Sequence, residues 1–286
     1  MVNPIKGQLA FSLRGGGQLL GMPWQRGMLF LFLPGGIFVK NSVRESVATL
    51  EAGSLQSLVS GTHRDVFSLL GIHTNPLVKG LVVRAFLPGA TRVELIALKS
   101  GKKLTTLAQV HPDGLFEKTL GNRKNRFDYF FRVEYPGKKL DMEDIYRFPT
   151  CLSEYDIHLF GEGTQERSFQ WMGAHPRQVD GVLFVVWAPS AQRVAVVGDF
   201  NQWDGRQHAM RLHPGSGIWE LFIPCLPEFS NYKYEIVDGQ GELLPLKSDP
   251  YARSMQHPPD TASRVIKDDN HRWKDGEWLA RRLATD

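Results

Sequence analysis

The sequence predicts an all-β protein made of two tandem β-sandwiches of one design, preceded by a short helix and an unstructured N-terminal extension. Three observations carry that reading. Turn residues punctuate short apolar or alternating runs about every 8–12 positions, as in a sandwich. The middle of the chain is written twice, at a spacing far too long for a solenoid repeat. No long helical pattern interrupts either copy.

The duplication is the strongest of the three. Val83-Arg-Ala-Phe-Leu-Pro-Gly-Ala-Thr-Arg-Val93 matches Phe184-Val-Val-Trp-Ala-Pro-Ser-Ala-Gln-Arg-Val194. His111-Pro112 is answered by His213-Pro214, and Gly114-Leu-Phe-Glu117 by Gly217-Ile-Trp-Glu220. Tyr129-Phe-Phe-Arg-Val133 is answered by Tyr232-Lys-Tyr-Glu-Ile236, and Asp144-Ile-Tyr146 by Asp249-Pro-Tyr251. The second copy places strands near Val182–Trp187, Arg193–Val197, Ile218–Ile223, Tyr232–Val237 and Leu243–Leu246. Trp187 is expected in the core, as tryptophan is highly buried on average. The face taken by Trp219 is left open.

The other segments follow in order. Residues 1–44 form the extension, with glycine runs at Gly15–Gly17 and Gly35–Gly36 and an apolar run, Met28 to Leu33, ended by Pro34. That run is far shorter than the ~20 apolar residues of a membrane span. Val43, Val47, Leu50, Leu55, Leu58 and Val59 then fall near helical spacing, with Gly61 as a stop. The domains expected are 45–150 for the first sandwich with its leading helix, 151–178 for a linker and 179–267 for the second sandwich. Residues 268–286 are a further linker.

Composition excludes several function classes. Residues 1–44 hold five basic residues (Lys6, Arg14, Arg26, Lys40, Arg44) and no acidic one; without them the net charge of +4 becomes −1. A nucleic-acid footprint is therefore not expected, nor a membrane partner. Cys151 and Cys225 form no CxxC pair or Cys/His cluster, so neither a zinc site nor a disulfide framework is implied. Reduced thiols in the cytoplasm are the simplest account. His63 and His73 read as structural, and no cofactor or metal is expected.

One stretch asks for a function. Arg193-Val-Ala-Val-Val-Gly-Asp-Phe-Asn-Gln-Trp-Asp-Gly205 runs from a strand into a loop of turn formers that holds up Trp203. The first copy has Ala97-Leu-Lys-Ser-Gly-Lys-Lys103 at that place, with no aromatic. The fold needs the strands in both copies, so the Trp203 loop is an addition to it. The indole is either a lid folded onto the core or a platform for the apolar face of a sugar ring.

The second copy resembles a family 48 carbohydrate-binding module, an immunoglobulin-like β-sandwich. Trp187-Ala-Pro189, Val196 to Gly205, Gly217-Ile-Trp-Glu220, Tyr232-Lys-Tyr234 and Lys247-Ser-Asp-Pro-Tyr251 carry the likeness. With Asp65-Val-Phe-Ser-Leu-Leu-Gly-Ile-His73, the first copy, Met210-Arg-Leu212 and Ile218 to Pro224, the chain resembles the N-terminal half of the bacterial 1,4-α-glucan branching enzyme family. The resemblance implies α-glucan (glycogen or malto-oligosaccharide) as ligand, Trp203 as the stacking platform, and Asn201 and Lys233 as partners of sugar hydroxyls. The turn Asp238-Gly-Gln-Gly-Glu242 and Ser263 depart from the family pattern, which implies weak affinity.

In that family a (β/α)₈ barrel of about 250 residues follows the sandwiches and uses two carboxylates. The chain stops at Asp286, and Trp273 and Trp278 sit in a tail resembling the linker into such a barrel. No catalytic residue is expected here: Asp199, Asp204, Asp249 and Glu220 read as turn formers or exposed strand residues. The chain alone is expected to be inactive. A separately encoded barrel as partner, a stand-alone glucan-targeting module and a purely structural sandwich pair are the readings left open.

Overall fold

The structure, a computed structural model, describes residues 49–74, 80–121, 123–177, 180–267 and 274–284. The extension, the predicted helical positions Val43 and Val47, and Trp273 lie outside the described residues. The helix that is described, α1, spans Ala52–Val59 and ends before Gly61, whose φ of +70° takes the chain out of the helix.

Seven antiparallel strands follow: β1 (Gly71–Thr74), β2 (Leu81–Phe86), β3 (Arg92–Ala97), β4 (Lys103–His111), β5 (Leu115–Leu120), β6 (Tyr129–Tyr135) and β7 (Lys138–Met142). Their order is β1-β2-β5-β4-β3-β6-β7. The long β4 changes sheets part-way: Leu107 pairs with Val93 of β3, and Ala108 pairs with Glu117 of β5. A bulge after Gln109 re-aims its end. Between the two layers lie Val83, Val93, Leu95, Phe116, Tyr129 and Val133, each at most 1 % exposed.

A second helix, α2 (Glu154–Glu162), precedes β8 (Gly173–Arg177), β9 (Gly181–Trp187), β10 (Arg193–Gly198), β11 (Arg211–His213), β12 (Ile218–Pro224), β13 (Asn231–Val237) and β14 (Ser263–Arg264). They make two sheets, β11-β12-β9-β8 and β10-β13-β14. Phe184, Val194, Val196, Trp219, Tyr232 and Tyr234 fill the space between them. The Trp219 face is thereby settled: its ring is fully buried and its Nε1–H donates to Ala188 O at 3.0 Å. A short helix, α3 (Gly276–Leu283), carries the exposed Trp278.

The stretch expected to be a linker, 151–178, is instead the start of the second repeat. Gly61-Thr62 is matched by Gly163-Thr164, and Gly71-Ile-His73 by Gly173-Ala-His175. Gly61 and Gly163 have φ of +70° and +75°, and the following threonine N–H reaches back to Ser57 O and Leu159 O. His73 Nε2 lies 2.6 Å from Leu70 O, and His175 Nε2 lies 2.7 Å from Met172 O. Each leader covers the outer face of its own sheet. Leu58, Val59 and Leu70 pack with Phe86 and Leu115; Leu152, Trp171 and Met172 pack with Leu183, Val185, Ile218 and Phe222. Burial of one such side chain contributes roughly 1.5–3 kcal/mol. This double covering is why β9 reads Val182-Leu-Phe-Val-Val186 with no polar alternation.

Two expectations fail. Trp187 is 55 % exposed. It shares the outward parity of Leu183 and Val185 but lies past the end of the cover, touching Phe160 edge-on at 6.1 Å. No continuous strand forms over Leu243–Leu246. Leu243 and Lys247 make single bridges to Val237 and Tyr234, and Pro245 between them has no N–H to give the ladder.

Candidate functional site

The Trp203 loop is the twelve-residue connection, residues 199–210, between β10 and β11; the corresponding connection between β3 and β4 has five, 98–102. It begins where β10 meets Gly198. A Cβ there would strike the Asn231 carbonyl and the Phe200 ring. One turn of 3-10 helix, Asp199–Asn201, follows. Gln202 and Trp203 then both take left-handed backbone, with φ of 56° and 62°. For non-glycine residues this costs about 1–2 kcal/mol each.

Asn201 holds that backbone in place. Its Oδ1 accepts from Gly198 N at 2.9 Å, and its Nδ2 donates to Val196 O at 2.9 Å and to His208 Nδ1 at 3.0 Å. It is only 2 % exposed. The expectation that Asn201 bonds sugar hydroxyls is therefore corrected: the amide is spent inside the loop. Burial lowers the pKa of His208 to about 4, so the imidazole is neutral and can accept that bond. Trp203 N donates to Gly198 O at 3.0 Å, and Asp204 N to Asn201 O at 3.1 Å.

The far side of the loop is pinned as well. A Cβ at Gly205 would run into the Glu235 carboxylate, which would have to shift from its place against Arg193. Arg193 donates to Gly205 O at 2.7 Å and pairs with Glu235. Asp204 takes two bonds from the Arg206 guanidinium, at 2.9 and 2.8 Å.

The Trp203 indole is half-buried. Its Nε1–H donates to Asp199 Oδ1 at 3.0 Å, while Asp199 Oδ2 accepts from Asn231 Nδ2 at 3.1 Å. Two residues along β13, on the same face as Asn231, Lys233 donates to Thr261 Oγ1 at 2.8 Å. The structure thus joins Trp203, Asp199 and Asn231 in one bonded row, with Lys233 next on that strand face. Asp199, Asn231 and Thr261 were not among the expected site residues. The two-residue spacing of Asn231 and Lys233 was the available signal. Trp203 does not line the clefts of about 730, 420 and 490 Å³ among the described residues. The arrangement offers an indole bonded to a carboxylate that also holds an amide, with an ammonium two residues along the same strand face.

The acidic residues are otherwise engaged, and two of them are not the exposed groups expected. Glu220, 3 % exposed, accepts from Thr150 Oγ1, from the Cys151 N–H and from His213 Nε2. Burial pushes its carboxyl up, and those partners together outweigh that and hold it below its usual range. Asp249, 5 % exposed, accepts from Tyr232 at 2.6 Å and Tyr234 at 3.2 Å; burial raises its pKa. No group of three or more His, Cys, Asp or Glu among the described residues could hold a metal ion. No helix among them is long and apolar enough to cross a membrane.

A pair of tandem sandwiches, the second with a loop-borne indole, defines a class, and the comparisons fit it. Residues 171–252 match carbohydrate-binding module 48 (isoamylase N-terminal domain), and residues 51–146 match the N-terminal domain of the α-1,4-glucan branching enzyme GlgB. The first sandwich is thus similar to a branching-enzyme N-terminal domain and the second to a family 48 module. It is 47 % identical to the 1,4-alpha-glucan branching enzyme GlgB of Shewanella baltica (strain OS223) over 236 residues, covering 82 % of this chain and 32 % of that one. The GlgB of Rubrobacter xylanophilus is 48 % identical over 234 residues, covering 80 % and 31 %. The chain thus spans about a third of the length of these curated relatives. Pullulanase type I from Bacillus subtilis str. 168 complexed with maltose aligns with a TM-score of 0.31 at 18 % identity, over 68 % of this chain and 26 % of that one. A likeness that slight carries no inference.

Proposed function

We propose that these sandwiches are the non-catalytic, α-glucan-binding front part of a cytoplasmic 1,4-α-glucan branching enzyme. A glucose ring of glycogen or a malto-oligosaccharide lies on Trp203, with Lys233 further along the strand for the hydroxyls. The strand behind them positions the glucan for a catalytic barrel, carried on the same polypeptide or encoded separately. The branching chemistry, transfer of an α-1,4 segment to an α-1,6 linkage, belongs to that barrel.

The single observation that carries the reading is the strained, cross-braced loop under Trp203. Two consecutive left-handed non-glycine residues persist only where surrounding bonds over-determine them, and such strain clusters at ligand sites. Trp203 is fixed by its own Nε1–H bond to Asp199, so stacking would cost little ordering of the ring. One aromatic platform with a few hydrogen bonds of about 1 kcal/mol each gives weak binding, around the millimolar range.

Co-sedimentation with glycogen tests this. The chain should pellet with glycogen and the Trp203→Ala variant should stay in solution. Equal sedimentation would favour the second reading, a purely structural pair, which the position of Trp203 outside the cleft of about 730 Å³ supports.

A further inference from the structure

We propose that the cleft between the two sandwiches binds a small phosphoryl-bearing ligand, a sugar phosphate, through Arg64, Arg126 and Arg211. This site is separate from the Trp203 surface and does not depend on it. The cleft has a volume of about 730 Å³ and takes walls from both halves: Phe67 and Arg126 from the first, Arg211 and Pro214 from the second. That size suits a single small ligand.

Charge is what marks it. Four arginines line the cleft, Arg64, Arg126, Arg147 and Arg211, against one carboxylate, Asp65. Asp65 accepts from Ser68 N at 3.2 Å and caps the short helix that follows it. Arg147 is neutralised by Glu143 at 2.6 Å and Asp128 at 3.5 Å. The other three arginines have no carboxylate partner among the described residues. This contrasts with the arginines that hold the sandwiches together: Arg84 pairs with Glu117, Arg132 with Asp141, Arg193 with Glu235 and Arg206 with Asp204. Beyond residue 44 the chain has a net charge of −1, so unbalanced cations here run against its composition.

The surroundings add to the same sign. An adjoining cleft of about 490 Å³ shares Arg126 and Arg147 and adds Lys99 and Arg123; its one carboxylate is Asp128, already paired with Arg147. Arg211 is held for use. One amino group donates to Phe148 O at 2.9 Å, and the guanidinium lies 4.2 Å over the Phe67 ring. A guanidinium fixed in this way keeps donors for a phosphate, which it can grip with two bonds at once. Phe148, Leu212 and Pro214 supply an apolar wall for the non-polar face of a sugar.

The test is isothermal titration of the full chain with inorganic phosphate, glucose 1-phosphate and glucose. Glucose 1-phosphate should bind saturably, phosphate more weakly, and glucose not at all over the same range. Arg64→Gln/Arg126→Gln, both exposed and without an ion pair among the described residues, should weaken glucose 1-phosphate by about tenfold or more. Adding Arg211→Gln should abolish binding, and Trp203→Ala should leave it unchanged. No saturable binding of either phosphate at millimolar concentration overturns the proposal. So does a double variant that binds like wild type, or glucose binding as tightly as its phosphate. Displacement of glucose 1-phosphate by a short RNA at lower concentration than by its own excess would also overturn the small-molecule assignment.

Discussion

Tyr129 donates to Asp144 in the first sandwich as Tyr232 does to Asp249 in the second, and both carboxylates also accept a backbone N–H two residues on. Glu117 takes bonds from the Thr49 N–H and hydroxyl, and Glu220 from the Cys151 N–H and the Thr150 hydroxyl. In each half a carboxylate on the outer sheet face ties down the leader segment, and a tyrosine closes the far end. The halves part company at the surface. Between β3 and β4 the chain turns in five residues; between β10 and β11 it spends twelve, two of them in left-handed backbone, to hold up an indole. Duplication preserved the buried bonds because their loss leaves unpaired groups inside. The exposed edges were free to diverge.

The comparison is broken most easily at the pair Phe86 and Trp187, which occupy matching positions. Phe86 is sealed by the first leader and Trp187 stands past the second. Phe86→Ala should cost about 3–5 kcal/mol in denaturant unfolding, the usual range for a buried ring. Trp187→Ala should cost about 1 kcal/mol or less, its contacts being the Phe160 edge and one bond to Ser216 O. Equal losses would mean that the second leader covers more than its packing suggests.

A pH effect sharpens the contrast. His208 is neutral in the fold, with a pKa lowered by burial to about 4 from 6.5. The unfolded chain takes up its proton first, so this group's contribution is full above about pH 6.5 and is lost as pH falls toward 4. The loss is about 3 kcal/mol, and His208→Gln should remove that part of the pH dependence. Protonation also ends the bond His208 accepts from Asn201, so the second sandwich should lose protection around its loop before the first. Hydrogen exchange at pH 5 against pH 7 checks the order. A smaller effect is expected for Asn201→Ala: a stability loss of about 1–3 kcal/mol, because Gly198 N and Val196 O would be left without their partner. Glucan affinity should fall with it, because Asn201 braces the backbone under Trp203.

Much of the architecture was legible before any coordinates. Strands β9, β10, β12 and β13 lie where their apolar runs and turn residues placed them, within a residue at each end. The leader α2 was missed because Glu154–Glu162 offers only Ile157 and Phe160 as packed apolar positions, too few for a periodic signal. The repeated Gly-Thr and Gly-x-His pairs did mark it. Trp187 was misplaced because composition and strand parity do not say how far a covering segment reaches. Asn201 was misassigned for a related reason: a polar residue in a polar loop reads as exposed, and only the fold brings Val196 O and His208 Nδ1 around it. Trp203 stood out as a candidate in the sequence itself, since the sibling copy has no counterpart.

The central claim is that the second sandwich, and Trp203 within it, is the glucan surface. Titration of maltoheptaose into the wild-type chain, Trp203→Ala and Trp187→Ala, followed by NMR shifts or calorimetry, tests it most directly. Both variants should fold with stability close to wild type. Binding should disappear with Trp203→Ala and persist with Trp187→Ala. Unchanged binding after loss of Trp203, or binding lost only with Trp187, would contradict the account.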